Sequence, residues 1–313
     1  MSTAVDAGRL LAELNENWRL TGKESSGGVL RACSMTLLVV AGENEDPQQL
    51  GETLASIMHE YPNRTIVLRV GAGSTVEART SIQCWMPFGR GQQVCCEQIE
   101  ISAPRAALEE VPPVLLGLMV ADLPVAVWCR DARLAALAEL APVLRLAGNV
   151  IVDTSRCDST LAIQSLRDLR QGPWRLADLA WTRITRWRQR IAQGLGAAGA
   201  AGEACLCYSG SGEPMVAVYL AAWLRLAAGF IPRLECEDPA EPAPGMGRLR
   251  AVRLGHLELR RIAPTVVVTS RAGASSTDVF PLLSDAGLLR EELGVFGRDP
   301  QFEAVLQAVL EAA

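Results

Sequence analysis

Histidine is scarce in this chain. Only two occur in 313 residues, His59 and His256. His59 ends a predicted helix, where a histidine helps to satisfy terminal carbonyl groups, and His256 follows a glycine on an alternating segment. Neither lies near a G-x-S-x-G turn or a pair of acidic residues spaced for acid–base work. The sequence therefore predicts no catalytic residues, and two histidines also argue against a metal site.

Cysteine is present but lacks a recognisable pattern. The count is nine, which is odd, and no C-x-x-C occurs, so neither a disulfide framework nor a thiolate zinc site is indicated. Cys205 and Cys207 would share one face of a strand, too far apart for easy bridging. The pattern favours small buried thiols in a reducing compartment over a redox-sensing role, which stays the alternative.

Long apolar runs are also missing. Residues 111–129 are interrupted by three prolines and an aspartate, and residues 214–231 contain an arginine. A spanning helix needs about 20 consecutive apolar residues. The first twenty residues carry charges on an amphipathic pattern rather than a secretory signal. We therefore expect a soluble, cytoplasmic protein that does not engage a membrane.

Net charge and composition define the broad class. The formal net charge is −5 and the isoelectric point is near 5.3, which argues against a general nucleic-acid binder. Hydrophobic residues make up 49% of the chain and charged residues 21%, so a sizeable buried core is expected. A length of 313 residues suits about two domains.

Phosphate-binding fingerprints are absent as well. The loop YSGSGEP at residues 208–214 lies between a predicted strand and helix, where backbone N–H groups can face an anion. It matches neither G-x-x-x-x-G-K-[ST] nor G-x-G-x-x-G, and Glu213 occupies the place of the anion. An ordinary connecting loop is favoured, with a phosphate site as the alternative. The polar segment at residues 270–277 could contact a partner or a phosphate.

The order of predicted elements indicates an α/β fold in two halves. Each half begins with a strand, a helix and a parallel strand, followed by an antiparallel pair and further helices, which suggests related domains. We predict two mixed-sheet α/β domains with helices packed on the sheets, joined by a helical segment rich in tryptophan and arginine. The predicted ranges are 1–28 for an N-terminal helix and link, 29–155 for the first domain, 156–193 for the connector and 194–313 for the second domain.

The densest aromatic and cationic window lies in that connector. Residues 173–191, PWRLADLAWTRITRWRQRI, hold three of the seven tryptophans and five arginines. On one helical wheel, Trp187 lies on the apolar face, while Trp181 and Arg188 share a shoulder. Aromatic and arginine anchors dominate protein–protein hot spots, which favours a binding surface. The alternative is a helix whose tryptophans hold the two halves together.

Several segments resemble one known family. DLAWTRITRWRQRIA resembles the hallmark segment of the OpcA-type glucose-6-phosphate dehydrogenase assembly proteins. HEYPNRTIVL, LPVAVWC and LRAVRLGHLELRRI are similar to further family segments, so the resemblance extends from about Val29 to the end of the chain. The resemblance implies a non-enzymatic assembly factor and allosteric activator of glucose-6-phosphate dehydrogenase. The alternative is an α/β enzyme or sensor that binds a sugar phosphate or nucleotide at residues 208–214.

The resemblance also supplies the predicted contacts with the dehydrogenase. They are Asp178, Trp181, Arg183, Trp187, Arg188 and Arg64, with no cofactor or metal. The family often has proline where this chain has Arg186. A proline there would make Thr185 the start of a second helix, so residues 173–191 are expected to form two helices rather than one. The direction in which the two tryptophans face, towards the partner or the core, is left open.

Overall fold

The structure of this chain is a computed structural model. It describes residues 5–25, 27–71, 75–87, 91–195, 202–240, 248–295 and 297–313. The chain divides into two compact units. The first comprises the described residues up to Val152 together with Asp168–Leu176, and the second comprises Asp153–Arg167 and Ala177–Ala313. In the described ranges, no helix is long and apolar enough to cross a bilayer.

An eight-stranded sheet forms the centre of the first unit. Its strands are β1 (Val29–Arg31), β2 (Met35–Gly42), β3 (Asn63–Gly71), β4 (Glu77–Trp85), β5 (Gln93–Pro104), β6 (Val125–Cys129), β7 (Asn149–Val152) and β8 (Arg175–Asp178), through which the chain leaves this unit. The strand order is β1-β5-β3-β2-β6-β7-β8, and β4 pairs with β5 on the side. β2, β3, β5, β6 and β7 run parallel, whereas β4 is antiparallel to β5.

Burial explains the sequence of the central strand. Leu37, Leu38, Val39 and Val40 of β2 are all fully buried, as expected where a parallel strand has both faces covered. The helices of this unit are α1 (Ala7–Glu24), α2 (Pro47–Met58), α3 (Val111–Leu118), α4 (Ala132–Ala135) and α5 (Ala141–Leu144). A short 3-10 helix, Arg105–Glu110, precedes α3. Asp46 caps α2 by accepting from the N–H of Gln48, with Pro47 at the first helical position.

The second unit contains a six-stranded sheet. Its strands are β9 (Ala204–Ser209), β10 (Arg233–Asp238), β11 (Leu249–Leu254), β12 (Leu257–Ala263), β13 (Val266–Arg271) and β14 (Ala274–Val279), in the order β10-β9-β11-β12-β13-β14. β9 and β10 are parallel, and the other neighbours are antiparallel. Its helices are α6 (Ser159–Leu169, which ends in the first unit), α7 (Leu179–Arg183), α8 (Thr185–Leu195), α9 (Met215–Ala228), α10 (Asp285–Leu293) and α11 (Pro300–Ala312).

The predicted fold class is confirmed: two α/β units, each with helices packed on a sheet that contains parallel and antiparallel pairs. Both units contain the predicted strand, helix and strand followed by an antiparallel pair, which is β4–β5 in the first unit and β11–β12 in the second. They differ afterwards, because the first unit adds the parallel strands β6 and β7, whereas the second adds the antiparallel strands β13 and β14. A relation between the two domains stays a prediction. Residues 156–193 do not form a body of their own, because residues 168–176 belong to the first unit and the remainder to the second.

One local prediction is corrected. Arg175–Asp178 form a strand rather than the start of a helix, because Arg175 donates its backbone N–H to the carbonyl of Gly148. The polar segment at residues 270–277 lies in a hairpin, in which β13 and β14 pair and turn at Ala272 and Gly273. β11 and β12 pair as a hairpin around Gly255, which adopts a φ of 55° in the turn, a conformation that glycine accepts without strain.

Candidate functional site

The tryptophan- and arginine-rich segment folds as two short helices. Asp178 ends β8 and caps α7 by accepting from the backbone N–H of Ala180 at 2.9 Å. α7 stops after one turn at Ile184, whose ψ of 4° departs from helical values, and α8 begins at Thr185. The predicted division into two helices is therefore confirmed. We call the exposed bend formed by Arg183, Thr185, Arg186 and Gln189 the α7–α8 corner.

Asp178 lies in the interior of the second unit and is 1% exposed. Its carboxylate accepts hydrogen bonds from Thr154 Oγ1 at 2.5 Å, from the Thr154 backbone N–H at 3.1 Å and from the Tyr219 hydroxyl at 2.7 Å. Burial raises the pKa of Asp178 to about 6, although these hydrogen bonds act in the opposite direction. Asp178 therefore fixes the start of α7 and ties it to α9.

Trp181 and Arg188 form a stacked pair. The Arg188 guanidinium carbon lies 3.5 Å from the Trp181 ring centroid, which confirms that the two share one shoulder of the segment. Trp181 is 2% exposed, donates from Nε1 to Asp299 at 3.0 Å and packs against Tyr219 and Phe302. Burial lowers the pKa of Arg188 to about 10, partly offset by Asp299.

Trp187 also faces inward. It is 3% exposed and meets Phe280 edge to face, with ring centroids 5.2 Å apart. On another side the guanidinium of Arg261 lies 5.6 Å from its ring centroid. The direction of the tryptophans, which the sequence left open, is thus towards the core of the second unit for both Trp181 and Trp187.

Arg183 and Arg64 hold ion pairs in different units. Arg183 is 28% exposed and pairs with Asp153 at 2.8 Å and Asp285 at 3.5 Å. Burial would raise the pKa of Asp153, but Arg183 and its other partners hold that pKa below its usual value. Arg64, in the first unit, is 6% exposed and pairs with Glu97 at 2.6 Å. The second unit therefore brings five of the six predicted contacts together, and Arg64 is not among them.

A pocket opens beside the α7–α8 corner. Its volume is about 340 Å³, and every residue of its wall belongs to the second unit. Four arginines contribute to the wall, Arg183, Arg186, Arg248 and Arg261, together with the carboxylate of Glu291. Its apolar wall is formed largely by Trp187, Phe280, Pro281 and Leu282. Sequence reasoning missed this pocket because its residues come from six separate stretches of the chain.

The loop at residues 208–214 is less suited to an anion. Its carbonyl groups face an arginine: Arg248 donates to the Ser209 carbonyl at 3.2 Å and to the Gly212 carbonyl at 2.9 Å. The carboxylate of Asp158 approaches Gly212, at 3.1 Å from the point where a Cβ would stand. Glu213 and Asp158 line a pocket of about 360 Å³ that borders this loop. Carbonyl and carboxylate oxygens repel a phosphate, so the geometry favours an ordinary connecting loop.

Two cysteine pairs differ from expectation. Cys84 and Cys95 form a disulfide between β4 and β5, where they lie directly opposite each other with Cα atoms 4.1 Å apart. The expectation of unbridged thiols is therefore wrong for this pair, and the hairpin register was the signal that could have revealed it. The Sγ atoms of Cys205 and Cys207 lie 3.7 Å apart, much closer than expected, although both thiols are free.

The Cys205–Cys207 pair has the geometry of a partial metal site. Together with the carboxylate of Glu235 on β10, their ligand atoms all lie within 4.8 Å of one another. Burial raises the pKa of Cys207 to about 12, so a cation would have to displace a firmly held proton. Glu235 is exposed and lies within 4.0 Å of Arg253 and 3.9 Å of Arg233. Two cysteine sulfurs and one carboxylate oxygen are ligands that a zinc ion accepts, and water would complete its coordination.

The fold and this geometry together define the class of protein. It is an α/β protein of two units, in which buried tryptophans support the arginine-rich α7–α8 corner. Sequence models of the glucose-6-phosphate dehydrogenase subunit family named OpcA match this chain, the N-terminal domain at residues 55–171 and the C-terminal domain at residues 175–306. Together these matches cover most of the chain. The chain belongs to the OpcA family of glucose-6-phosphate dehydrogenase assembly proteins.

Two cyanobacterial relatives carry the name OxPP cycle protein OpcA. The chain is 26% identical to the protein from Nostoc punctiforme over 161 residues, which is 49% of this chain and 33% of the relative. It is 27% identical to the protein from Synechocystis over 148 residues, which is 46% of this chain and 30% of the relative. The matched region thus spans about one third of the length of these relatives.

Solved structures with a similar chain trace include two oxidoreductases. A 3-ketoreductase from Actinomadura kijaniata has a TM-score of 0.49 and 12% identity, covering 89% of this chain and 96% of that chain. An oxidoreductase from Thermotoga maritima has a TM-score of 0.49 and 11% identity, covering 89% and 93%. At these values neither likeness supports an inference about function.

Proposed function

We propose that this chain is a non-enzymatic assembly factor and allosteric activator of glucose-6-phosphate dehydrogenase. The observation that carries the proposal is the match to both domain models of the OpcA family across most of the chain. The proposed partner is the dehydrogenase. Binding to nucleic acid or to a membrane is not proposed. The cytoplasm stays the expected compartment, because a partner of this enzyme works where its phosphorylated substrate is held.

The positions of the histidines support a role without catalysis. His59 follows α2, is exposed and stacks on Trp85 with ring centroids 4.9 Å apart. His256 is exposed in the turn between β11 and β12. Neither histidine has a carboxylate hydrogen-bond partner in the part of the chain that the structure describes. General acid–base catalysis needs such a base held in hydrogen-bond reach of its proton, and neither position provides one.

The α7–α8 corner is the proposed docking surface on the second unit. Arg186 and Gln189 are exposed, and Arg183 is partly exposed beside them. Arginine pairs bidentately with carboxylates, so the corner suits an acidic patch on the dehydrogenase. Of the predicted contacts, Asp178, Trp181 and Trp187 would then act from within, by holding the two helices in place.

The remaining predicted contacts differ in how they would act. Arg188 is partly buried and stacks on Trp181. It would therefore support docking indirectly, by holding α8 in position against Trp181. Arg64 is proposed to contribute through the buried ion pair that it forms with Glu97 in the first unit. Both remain proposals about partner binding.

Activation requires a difference in affinity between two states of the partner. An activator shifts the dehydrogenase only if it binds the active assembly more tightly than the inactive one. A coupling free energy of about 1–3 kcal/mol is usual and corresponds to roughly 5- to 150-fold. The docking surface therefore has to be complementary to a feature that only the active assembly presents.

The test is the rate of NADPH formation by the cognate dehydrogenase, titrated with the full chain. We expect the wild-type chain to raise the rate, and Arg186→Glu to raise the half-maximal concentration about tenfold, or 1.4 kcal/mol. Arg9→Glu, a charge reversal at another exposed arginine, on α1, is the matched control and should behave as wild type. No rate change with micromolar wild-type chain would refute activation, and equal effects of both variants would refute the docking surface.

A further inference from the structure

The pocket beside the α7–α8 corner contains a buried cation, Arg261, that has no counter-ion among the described residues. Arg261, on β12, is 9% exposed and lines the pocket. Its Nη1 donates to the carbonyl of Pro264, but its Nε is buried and has no hydrogen-bond partner. No carboxylate in the described residues forms an ion pair with it. Burying a charge without a counter-ion is costly, so its presence needs an explanation.

The charges nearest to Arg261 increase this cost. Burial lowers the pKa of Arg261, and the neighbouring cation Arg250 lowers it further. Trp187 offers only the face of its ring, at 5.6 Å. Among the described residues no carboxylate forms an ion pair with this buried guanidinium, and Glu291 in the pocket wall interacts with Arg186 instead. An anion entering the pocket from solvent would supply the missing negative charge.

The rest of the wall has a positive balance. Arg183 is already compensated by Asp153 and Asp285, whereas Arg186 lies at the exposed rim. Among the described residues of the wall, Glu291 is the one carboxylate, and burial raises its pKa while Arg186 lowers it. A concave site lined by more cations than anions concentrates field lines and attracts negatively charged ligands.

We propose that this pocket binds a small phosphate monoester of sugar-phosphate size, with Arg261 as the buried partner of its phosphoryl group. A guanidinium donates a planar fork of N–H groups that matches phosphate oxygens, and Arg261 carries such a fork at the wall of the pocket. A volume of about 340 Å³ falls at the lower end of small-molecule sites. Arg186 at the rim complements the second charge of the dianion.

The depth of Arg261 favours a small ligand over a segment of another protein. Only the end of a narrow group reaches a side chain that is 9% exposed. The apolar wall, which includes Trp187 and Phe280, suits the body of a ligand that carries a single charged end. This site lies elsewhere than the loop at residues 208–214, and its occupation does not depend on the presence of a dehydrogenase.

The test uses the purified full chain alone, by calorimetric titration and thermal shift. The probes are glucose 6-phosphate, inorganic phosphate and uncharged glucose at low ionic strength. We expect glucose 6-phosphate to bind and to raise the melting temperature, inorganic phosphate to bind more weakly and glucose to have no effect. Failure of glucose 6-phosphate to bind at millimolar concentration overturns the proposal.

Two substitutions make the test specific to the pocket. Arg261→Met keeps the length of the side chain and should weaken glucose 6-phosphate binding at least about tenfold. Arg298→Met, at an exposed arginine outside the pocket, is the matched control and should bind as wild type. Should Arg261→Met fold poorly, Arg261→Lys replaces it, since a lysine retains the charge but loses the fork.

The outcomes separate this site from its rivals. Equal binding by wild type and Arg261→Met would show an unspecific cationic surface and overturn the proposal. A further outcome is that the wild type binds no phosphate compound and Arg261→Met no longer binds the dehydrogenase. The pocket would then hold a side chain of the dehydrogenase, and the proposal would be overturned. Phosphate binding without any effect on the dehydrogenase would support this site while leaving the proposed assembly role to its own test.

Discussion

The guanidinium of Arg188 stacks on the ring of Trp181 at 3.5 Å, and both side chains belong to the second unit. The indole Nε1 of Trp181 also donates to Asp299, the residue that caps α11. One tryptophan thus joins α7, α8 and the C-terminal helix. This arrangement makes the tryptophans of the family hallmark segment part of the framework that presents its arginines.

Replacement of Trp181 should therefore destabilise the fold before it affects any partner. We expect Trp181→Ala to lower the free energy of unfolding by about 3–5 kcal/mol, because it removes a large buried ring from a packed core. Arg188→Met should cost much less, since it removes a partly buried cation and keeps the aliphatic contact. Denaturant unfolding of both variants is the measurement. A loss below about 1 kcal/mol for Trp181→Ala would show that the ring does not support the core.

Asp178 should give stability a distinctive dependence on pH. Its folded pKa of about 6 lies above its ordinary value, so the folded chain holds the proton more firmly than the unfolded chain. Its contribution to stability is full below pH 4 and is lost as the pH rises through about 6, a change of roughly 1–3 kcal/mol. The buried Asp153 carboxylate adds to this effect by raising the same pKa.

The measurement compares wild type with Asp178→Asn from pH 4 to pH 7. Asparagine still caps a helix but does not ionise, so the variant should lack the decline attributed to Asp178. As the pH rises from 4 to 7, the unfolding free energy of the wild type should therefore fall relative to that of Asp178→Asn. A difference independent of pH would contradict the assignment of the raised pKa to Asp178.

Arg64 should act on the stability of the first unit. Glu97 is buried and accepts hydrogen bonds from Arg64 and from Trp18 Nε1, both at 2.6 Å, and pairs with Arg31 at 2.7 Å. Removing one partner of a buried ion pair costs about 3–5 kcal/mol, so Arg64→Ala should unfold at lower denaturant concentration. Arg79→Ala, which removes an exposed partner of Glu100, is the control and should cost no more than about 1 kcal/mol. Equal stability of both variants would contradict the role given to Arg64.

The disulfide between β4 and β5 should be visible in the intact protein. Alkylation of the denatured, unreduced chain followed by mass spectrometry should modify seven of the nine cysteines. Replacement of both Cys84 and Cys95 by serine should lower the free energy of unfolding by about 2–4 kcal/mol. Modification of all nine cysteines in protein purified without reductant would show that the bridge does not form. Disulfides are rare in reducing compartments, so the result also bears on the expected cytoplasmic location.

Much of the fold followed from patterns that depend on nearby residues. The apolar run of β2, the proline at the start of α2 and the Asp299–Pro300 cap of α11 are local patterns that each indicate their element. The bend at Thr185 was expected from a resemblance rather than from residue pattern, because nothing local in this chain breaks the helix there. Arg175–Asp178 became a strand only through pairing at the sheet edge, which short segments do not reveal.

The site was harder to foresee, for a physical reason. Tryptophan and arginine are abundant both in docking surfaces and in packed cores, so their density could not show which way Trp181 and Trp187 face. The pocket depends on Arg261, whose burial and missing ion pair carry no local signal in the sequence. The Cys84–Cys95 bridge depends on hairpin register, which the predicted strands implied but did not define.

The central claim is that this chain promotes assembly of glucose-6-phosphate dehydrogenase. Its most direct test is the molar mass of the cognate dehydrogenase, measured by light scattering during size-exclusion chromatography, with and without the full chain. The account predicts that the chain co-elutes with the dehydrogenase and moves it to a larger, more active oligomer. Separate elution of the two proteins at micromolar concentrations, with the mass of the dehydrogenase unchanged, would contradict it.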